Sequence, residues 1–133
     1  MKKIFICAPN RHKEKTRKLA DKLEKVGFSV KYAAEFTKQN METKDIFESN
    51  MKLIKNSDIF LAYFVDDGHY GIDFAVEVGQ VSGMGRPVFG FADLHENKMD
   101  EFQKKLDKDV MFIYSIDTLV WDFNVLLEHL KTH

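Results

Sequence analysis

Glu77 and Asp73 are the side chains best placed to do chemistry. They lie in Gly71-Ile-Asp-Phe-Ala-Val-Glu-Val-Gly79, just after the almost wholly apolar stretch Asp58 to Val65. Four residues apart on a helix, two carboxylates share a face. Their repulsion raises the pKa of one of them, which suits a nucleophile beside an acid. A solvated helix face has the same spacing; small neighbours and flanking apolar runs weaken that alternative without removing it. A second cluster, Pro9-Asn-Arg-His-Lys13, follows the first apolar run and opens a helix, with Lys15, Arg17 and Lys18 close behind. Cations at a helix N-terminus oppose the macrodipole, and local rules are often broken at functional sites. Backbone N–H groups with Arg11 and Lys13 would cradle a phosphate. The alternative is a solvated basic helix end. His12, His69, His95, His129 and His133 show no metal-ligand spacing. There is no Gly-x-Gly-x-x-Gly, no phosphate-binding P-loop and no nucleophile elbow. Neither a metal nor a cofactor is expected.

The elements that must position these residues alternate from end to end. Strands are expected at Lys3–Ala8, Ser29–Ala33, Ile59–Val65, Pro87–Phe91 and Val110–Tyr114. Several are continuous apolar runs, as strands covered on both faces are. Helices are expected at Lys13–Val26, Lys44–Asn56, Asp73–Met84, Glu96–Leu106 and Leu119–Leu130. Leu19, Ala20, Leu23 and Val26 form the stripe of the first, and Gly27 stops it. Ile46, Phe47, Met51 and Ile54 form that of the second, with Thr43 as N-cap. This order implies a parallel sheet with right-handed crossovers. The expected fold is α/β, flavodoxin-like, three layers, with five parallel strands in the order 2-1-3-4-5 and a site where strands one and three diverge.

At 133 residues the chain reads as one domain, 1–133, long enough for a proper core. Hydrophobic residues make up 44% and charged residues 31%, as in ordinary globular proteins. A net charge of −1 gives no electrostatic case for a nucleic-acid polymer or an anionic membrane. No apolar run approaches the ~20 residues of a spanning helix, and the N-terminal apolar stretch is too short for a signal peptide. A single cysteine fits a reducing cytoplasm. Cys7 lies in an apolar strand and reads as a buried, inert thiol. Tyr63 or Tyr70 could stack on a base, although packing explains them as well. Trp121 and Phe123, read as part of the last helix, hint at a subunit interface or at core.

The segment Ala75, Glu77, Gly79, Gly83, Gly85, Arg86 and Pro87 resembles the nucleoside 2-deoxyribosyltransferase family, whose members carry a helix of the form x-x-Glu-x-Gly-x-Ala followed by small residues and Lys/Arg-Pro. Lys3-Ile-Phe-Ile-Cys-Ala-Pro9 resembles the family's opening strand, and Ile46 to Asp58 the helix before its third strand. The resemblance implies that Glu77 is the nucleophile of a retaining N-glycosyl transfer. Ala8, Pro9, Asn10, Arg11, Lys13, Asn50 and Gly71 become candidate substrate contacts, with Asp73 as catalytic partner. It implies a deoxynucleoside or deoxynucleotide and a free nucleobase as small-molecule partners, and a homo-oligomer whose neighbouring subunit completes the site. One branch of the superfamily hydrolyses 2-deoxynucleoside 5'-monophosphates and resembles this chain in its basic first loop. The chain also departs from the pattern. The family's Asp six residues before the nucleophile is Gly71 here, its Gly is Asp73, and its second-helix Asp is Asn50. Asp66 or Asp67, in a longer loop, could fold back to replace the missing acid. Asn50 can donate and accept hydrogen bonds but cannot act as a general acid. With that site degraded, a non-catalytic nucleotide-binding domain of the same fold is the rival reading.

Overall fold

Strict side-chain alternation along two central strands sets the architecture. In the computed structural model, which describes residues 1–36 and 40–133, the chain runs β1 (Lys3–Cys7), α1 (Lys13–Lys25), β2 (Ser29–Tyr32), α2 (Ala33–Phe36), α3 (Thr43–Lys55) and β3 (Ile59–Asp66). It continues through α4 (Ile72–Gly83), β4 (Val88–Leu94), α5 (Met99–Lys108), α6 (Val110–Ile113), β5 (Thr118–Val120) and α7 (Phe123–Thr132). The strands form one parallel sheet in the order β2-β1-β3-β4-β5, as the sequence pattern requires. Ile4, Ile6, Ile59, Leu61, Tyr63 and Val65 face the layer of α1 and α7. Phe5, Cys7, Phe60, Ala62 and Phe64 face the layer that includes α3, α4 and α5. Burying both faces of β1 and β3 stabilises the sheet by roughly 1.5–3 kcal/mol for each large apolar side chain.

Phe64 centres the second layer. Tyr70, Phe74, Phe102 and Phe112 surround it with ring centroids 4.9–6.1 Å away. Through Phe74 this cluster seats the first turn of α4 on the sheet. At the other end of α4, the Arg86 guanidinium donates to the carbonyl of Ile54 at 2.9 Å and to that of Ser57. The C-terminus of α3 is thereby tied to that of α4, fixing the two helices that wall the site.

Several expectations are corrected near the C-terminus. Val110–Tyr114 is not a strand: Val110–Ile113 forms the single turn α6, with Phe112 buried and Met111 86% exposed. A short apolar run does not distinguish strand from helix by itself, and here Phe112 is claimed by the aromatic cluster. The fifth strand is Thr118–Val120, anchored where Asp117 Oδ2 accepts from the Val88 N–H at 2.7 Å. The last helix starts at Phe123, not Leu119, because the Asp122 carboxylate caps it, accepting from the Val125 N–H at 3.1 Å. Trp121 therefore precedes the helix. Thr43 is the first helical residue of α3, and Glu42 stands at the N-cap with no side-chain hydrogen bond.

Candidate active site

The carboxyl ends of β1 and β3 are the switch point of this sheet: β1 connects outward to β2, and β3 outward to β4. Ligands of open α/β sheets bind in that crevice, and a cavity of about 560 Å³ opens there. The end of β1 and its loop supply Cys7, Ala8, Pro9, Asn10 and Arg11. Helix α3 supplies Ile46 and Asn50, and the start of α4 supplies Gly71, Asp73 and Glu77. A recess of about 460 Å³ between α3 and α4 shares Asn10, Asn50, Asp73 and Glu77 and adds Phe47, Met51 and Gln80.

Helix geometry explains the position of Glu77. Phe74, Val78 and Val81 are the buried residues of α4. At about 100° per residue, Glu77 points about 60° off the centre of that buried stripe. Its carboxylate is therefore half-buried at the helix edge, and Asp73, one turn earlier, is exposed at the rim. The Cys7 Sγ donates to Glu77 Oε2 at 3.1 Å. Burial raises the pKa of Glu77, the Cys7 hydrogen bond lowers it, and the nearby Asp73 charge raises it, in that order of size. Burial beside this carboxylate pushes the Cys7 thiol well up, so it stays protonated and able to donate.

The loop leading into α4 is clamped. Asp66 and Gly68 both adopt positive φ, 59° and 78°. Gly68 permits this readily, and a Cβ there would lie 2.3 Å from Phe102 Cδ1. Arg11 Nη2 donates to the His69 carbonyl at 3.0 Å, so the first loop holds the third. Tyr70 stacks on Phe112 at 4.3 Å and donates to Asp109, with Lys105 Nζ 4.2 Å from its ring centroid.

Most residues singled out from the sequence converge here: Ala8, Pro9, Asn10, Arg11, Asn50, Gly71, Asp73 and Glu77 all line the cavity. Three do not. Lys13 is the exposed first residue of α1, outside the lining. Asp66 is bound by Lys15 and lies 3.9 Å from His12 Nδ1 and 3.6 Å from His95 Nε2. Asp67 accepts from the His69 N–H at 2.9 Å. The Lys15 hydrogen bond first, for Asp66, and the His69 backbone bond first, for Asp67, hold both carboxyls below the usual range. Neither folds back to replace the acid missing at Gly71. Tyr63 and Tyr70 are committed to packing, and neither lines the cavity. Cys7 is the polar side chain of the lining that the sequence reading did not place there. The signal was available: it alternates with Phe5, and it ends β1 on the carboxyl side, where such sheets bind ligands.

This fold and cavity define a switch-point α/β protein with a half-buried carboxylate in the wall of its crevice. The chain belongs to the nucleoside 2-deoxyribosyltransferase family, whose sequence model matches residues 4–111. It is accordingly an enzyme of the nucleoside 2-deoxyribosyltransferase type. A solved 2-deoxyribosyltransferase from Bacillus psychrosaccharolyticus superposes with a TM-score of 0.68 at 19% identity, covering 93% of this chain and 89% of that one. A CMP N-glycosidase from Clostridium botulinum superposes with a TM-score of 0.59 at 18% identity, covering 99% and 100%. No curated protein matches the chain by sequence. Among the described residues no helix is long and apolar enough to cross a membrane.

Proposed function

We propose that the chain cleaves or transfers the N-glycosidic bond of a 2-deoxyribonucleoside with Glu77 as nucleophile. The observation that carries this reading is the half-buried Glu77 carboxylate, held by a hydrogen bond and facing a cavity large enough for a nucleoside. Glu77 attacks the anomeric carbon as the base departs through an oxocarbenium-like transition state, giving a covalent glycosyl-enzyme. A second base or water then attacks from the face opposite Glu77, with retention. The departing base needs a proton or hydrogen bond as it leaves. Asp73, the other acid of the lining, is the partner we assign to that end of the reaction. Asn50 binds a sugar hydroxyl or base edge by donating and accepting.

A second reading, hydrolysis of a 5'-monophosphate, is favoured by Arg11. It is the one cationic side chain among the described lining residues. The exposed apolar side chains Phe47, Ile72 and Val76 stand around the site and favour a homo-oligomer in which a neighbour closes it. A monomer by light scattering that is fully active at micromolar concentration overturns that part. The function itself is tested by incubating the protein with deoxynucleosides and their monophosphates, with and without free adenine, and separating the released bases. Release from nucleosides, with base exchange when adenine is present, supports transfer. No release from any member of the panel refutes the enzymatic reading.

A further inference from the structure

Resting on the reading of Glu77 as nucleophile, we infer that Cys7 is its positioning residue: the thiol holds Oε2 by a hydrogen bond across the cavity wall and leaves Oε1 as the attacking oxygen. Cys7 is buried at the end of β1, in register with Ala62 of β3, while Glu77 comes from α4, 70 residues later in the chain. Among the described residues it is the one side chain that donates to Glu77.

Packing alone does not account for a thiol here. Phe5, two residues earlier on the same face, fills its place with an apolar ring stacked on Phe60. Position 7 faces a half-buried carboxylate, which loses water on burial and needs a donor to remain charged. Alanine or valine would fill the space and leave Oε2 against an apolar wall. A thiol is a weak donor. It is strong enough to fix the carboxylate's rotation, and too weak to withdraw much of the electron density that attack on the anomeric carbon needs. The charged and titratable groups facing Glu77 are few. Asp73 lies one turn earlier on α4, Cys7 comes from β1, Arg11 from the loop after β1, and α3 presents the non-titrating Asn50. Of these, Cys7 alone touches the carboxylate.

The sign of the effect follows. The thiol bond favours the charged form of Glu77 against burial and Asp73. Removing it therefore raises the pKa of Glu77 and moves the acid limb of activity to higher pH. Charge-assisted hydrogen bonds from stronger donors correspond to about tenfold in rate or more, so a thiol's contribution reaches about tenfold at most.

The test compares wild type with Cys7→Ala, the volume-keeping Cys7→Val, and Cys7→Ser, which retains a donor. The Glu77 carboxyl is followed by carbon-13 NMR through a pH titration, with its signal assigned by its loss in Glu77→Gln. Turnover of the best nucleoside is followed in parallel. In Cys7→Ala and Cys7→Val the Glu77 titration moves to higher pH, and kcat near neutrality falls by up to about tenfold with KM within about twofold. Cys7→Ser returns both toward wild type. If Glu77 titrates at the same pH in every variant, Cys7 only packs and the inference is overturned, whatever happens to turnover. A protein that cleaves no nucleoside but shows the shifted titration keeps this contact and refutes the proposed reaction instead.

Discussion

Recesses open near the carboxyl ends of the strands on both faces of the sheet, and two of them are built on opposite terms. The cavity around Glu77 lies on the α3/α4 face. The other, of about 430 Å³, lies on the α1/α7 face between Lys15, Lys18, Lys22, Tyr63, Asp93 and Trp121. In the second recess the polar groups mostly satisfy one another. Tyr63 donates to Asp93 at 2.9 Å, Lys15 is bound to Asp66, Asp122 caps α7, and Lys22 lies 5.2 Å from the ring centroid of Phe123. In the first, a half-buried carboxylate is held by one weak donor and repelled by a second acid. Both have charged side chains in their lining. They differ in how many polar groups are left for a ligand to satisfy, and the unsatisfied one is where perturbed acids mark function.

The largest expected effect contrasts one acid from each recess. Glu77→Gln keeps shape and removes charge, and should lower turnover at least ~100-fold. Asp93→Asn should leave turnover within about twofold. Equal losses, measured as base released per enzyme, would erase the distinction between the two faces.

Arg11→Ala sharpens what the first recess accepts. A charge-assisted contact to a 5'-phosphate corresponds to about tenfold in affinity. Calorimetric titration should show that loss for a deoxynucleoside monophosphate, with the nucleoside little changed and the difference shrinking in salt. If wild type binds both ligands equally, Arg11 serves only to hold the His69 carbonyl.

A smaller effect concerns stability. The pKa of Glu77 is raised in the fold above its unfolded value. Between those two values the folded state binds more protons, so stability falls as pH rises through that window. Glu77→Gln escapes this penalty. It should melt above wild type near pH 7.5, as expected when a substitution removes functional strain. The two proteins should converge below the ordinary glutamate range. An identical gap at both pH values, by scanning calorimetry, would show that the carboxylate's ionisation carries no strain.

Smallest is Tyr63→Phe, which removes one hydrogen bond from the satisfied recess. It should cost about 0.5–1.5 kcal/mol by denaturant titration and leave kcat/KM unchanged. A change in turnover would mean that the two faces communicate through β3.

The central fold was legible because its strands carry their burial in their composition: Ile59 to Val65 is apolar throughout and buried throughout. Its C-terminal third was not. Val110 to Ile113 and Thr118 to Val120 are both short apolar runs, and only the claims of Phe64's ring cluster and of the Asp122 cap decide which becomes strand. In the site, residues local to a motif, such as Asp73 and Glu77, could be read from spacing. Lys13, Asp66 and Asp67 were misplaced because their partners, or the wall they miss, come from distant segments. Cys7 is buried, as expected, but its contact with Glu77 could not be read, because the two lie 70 residues apart in the chain.

The distance along the chain between those two residues has a temporal consequence. Every strand pairing in the sheet is parallel, so each must wait for a long crossover to close. Helices α1 and α4 can flicker into shape early, yet the thiol meets the carboxylate only once β1, β3 and the loop before α4 are all in place. Recovery of catalysis on refolding should therefore lag the return of helical circular dichroism. A half-assembled chain, however helical, has not yet brought the thiol and the carboxylate into contact.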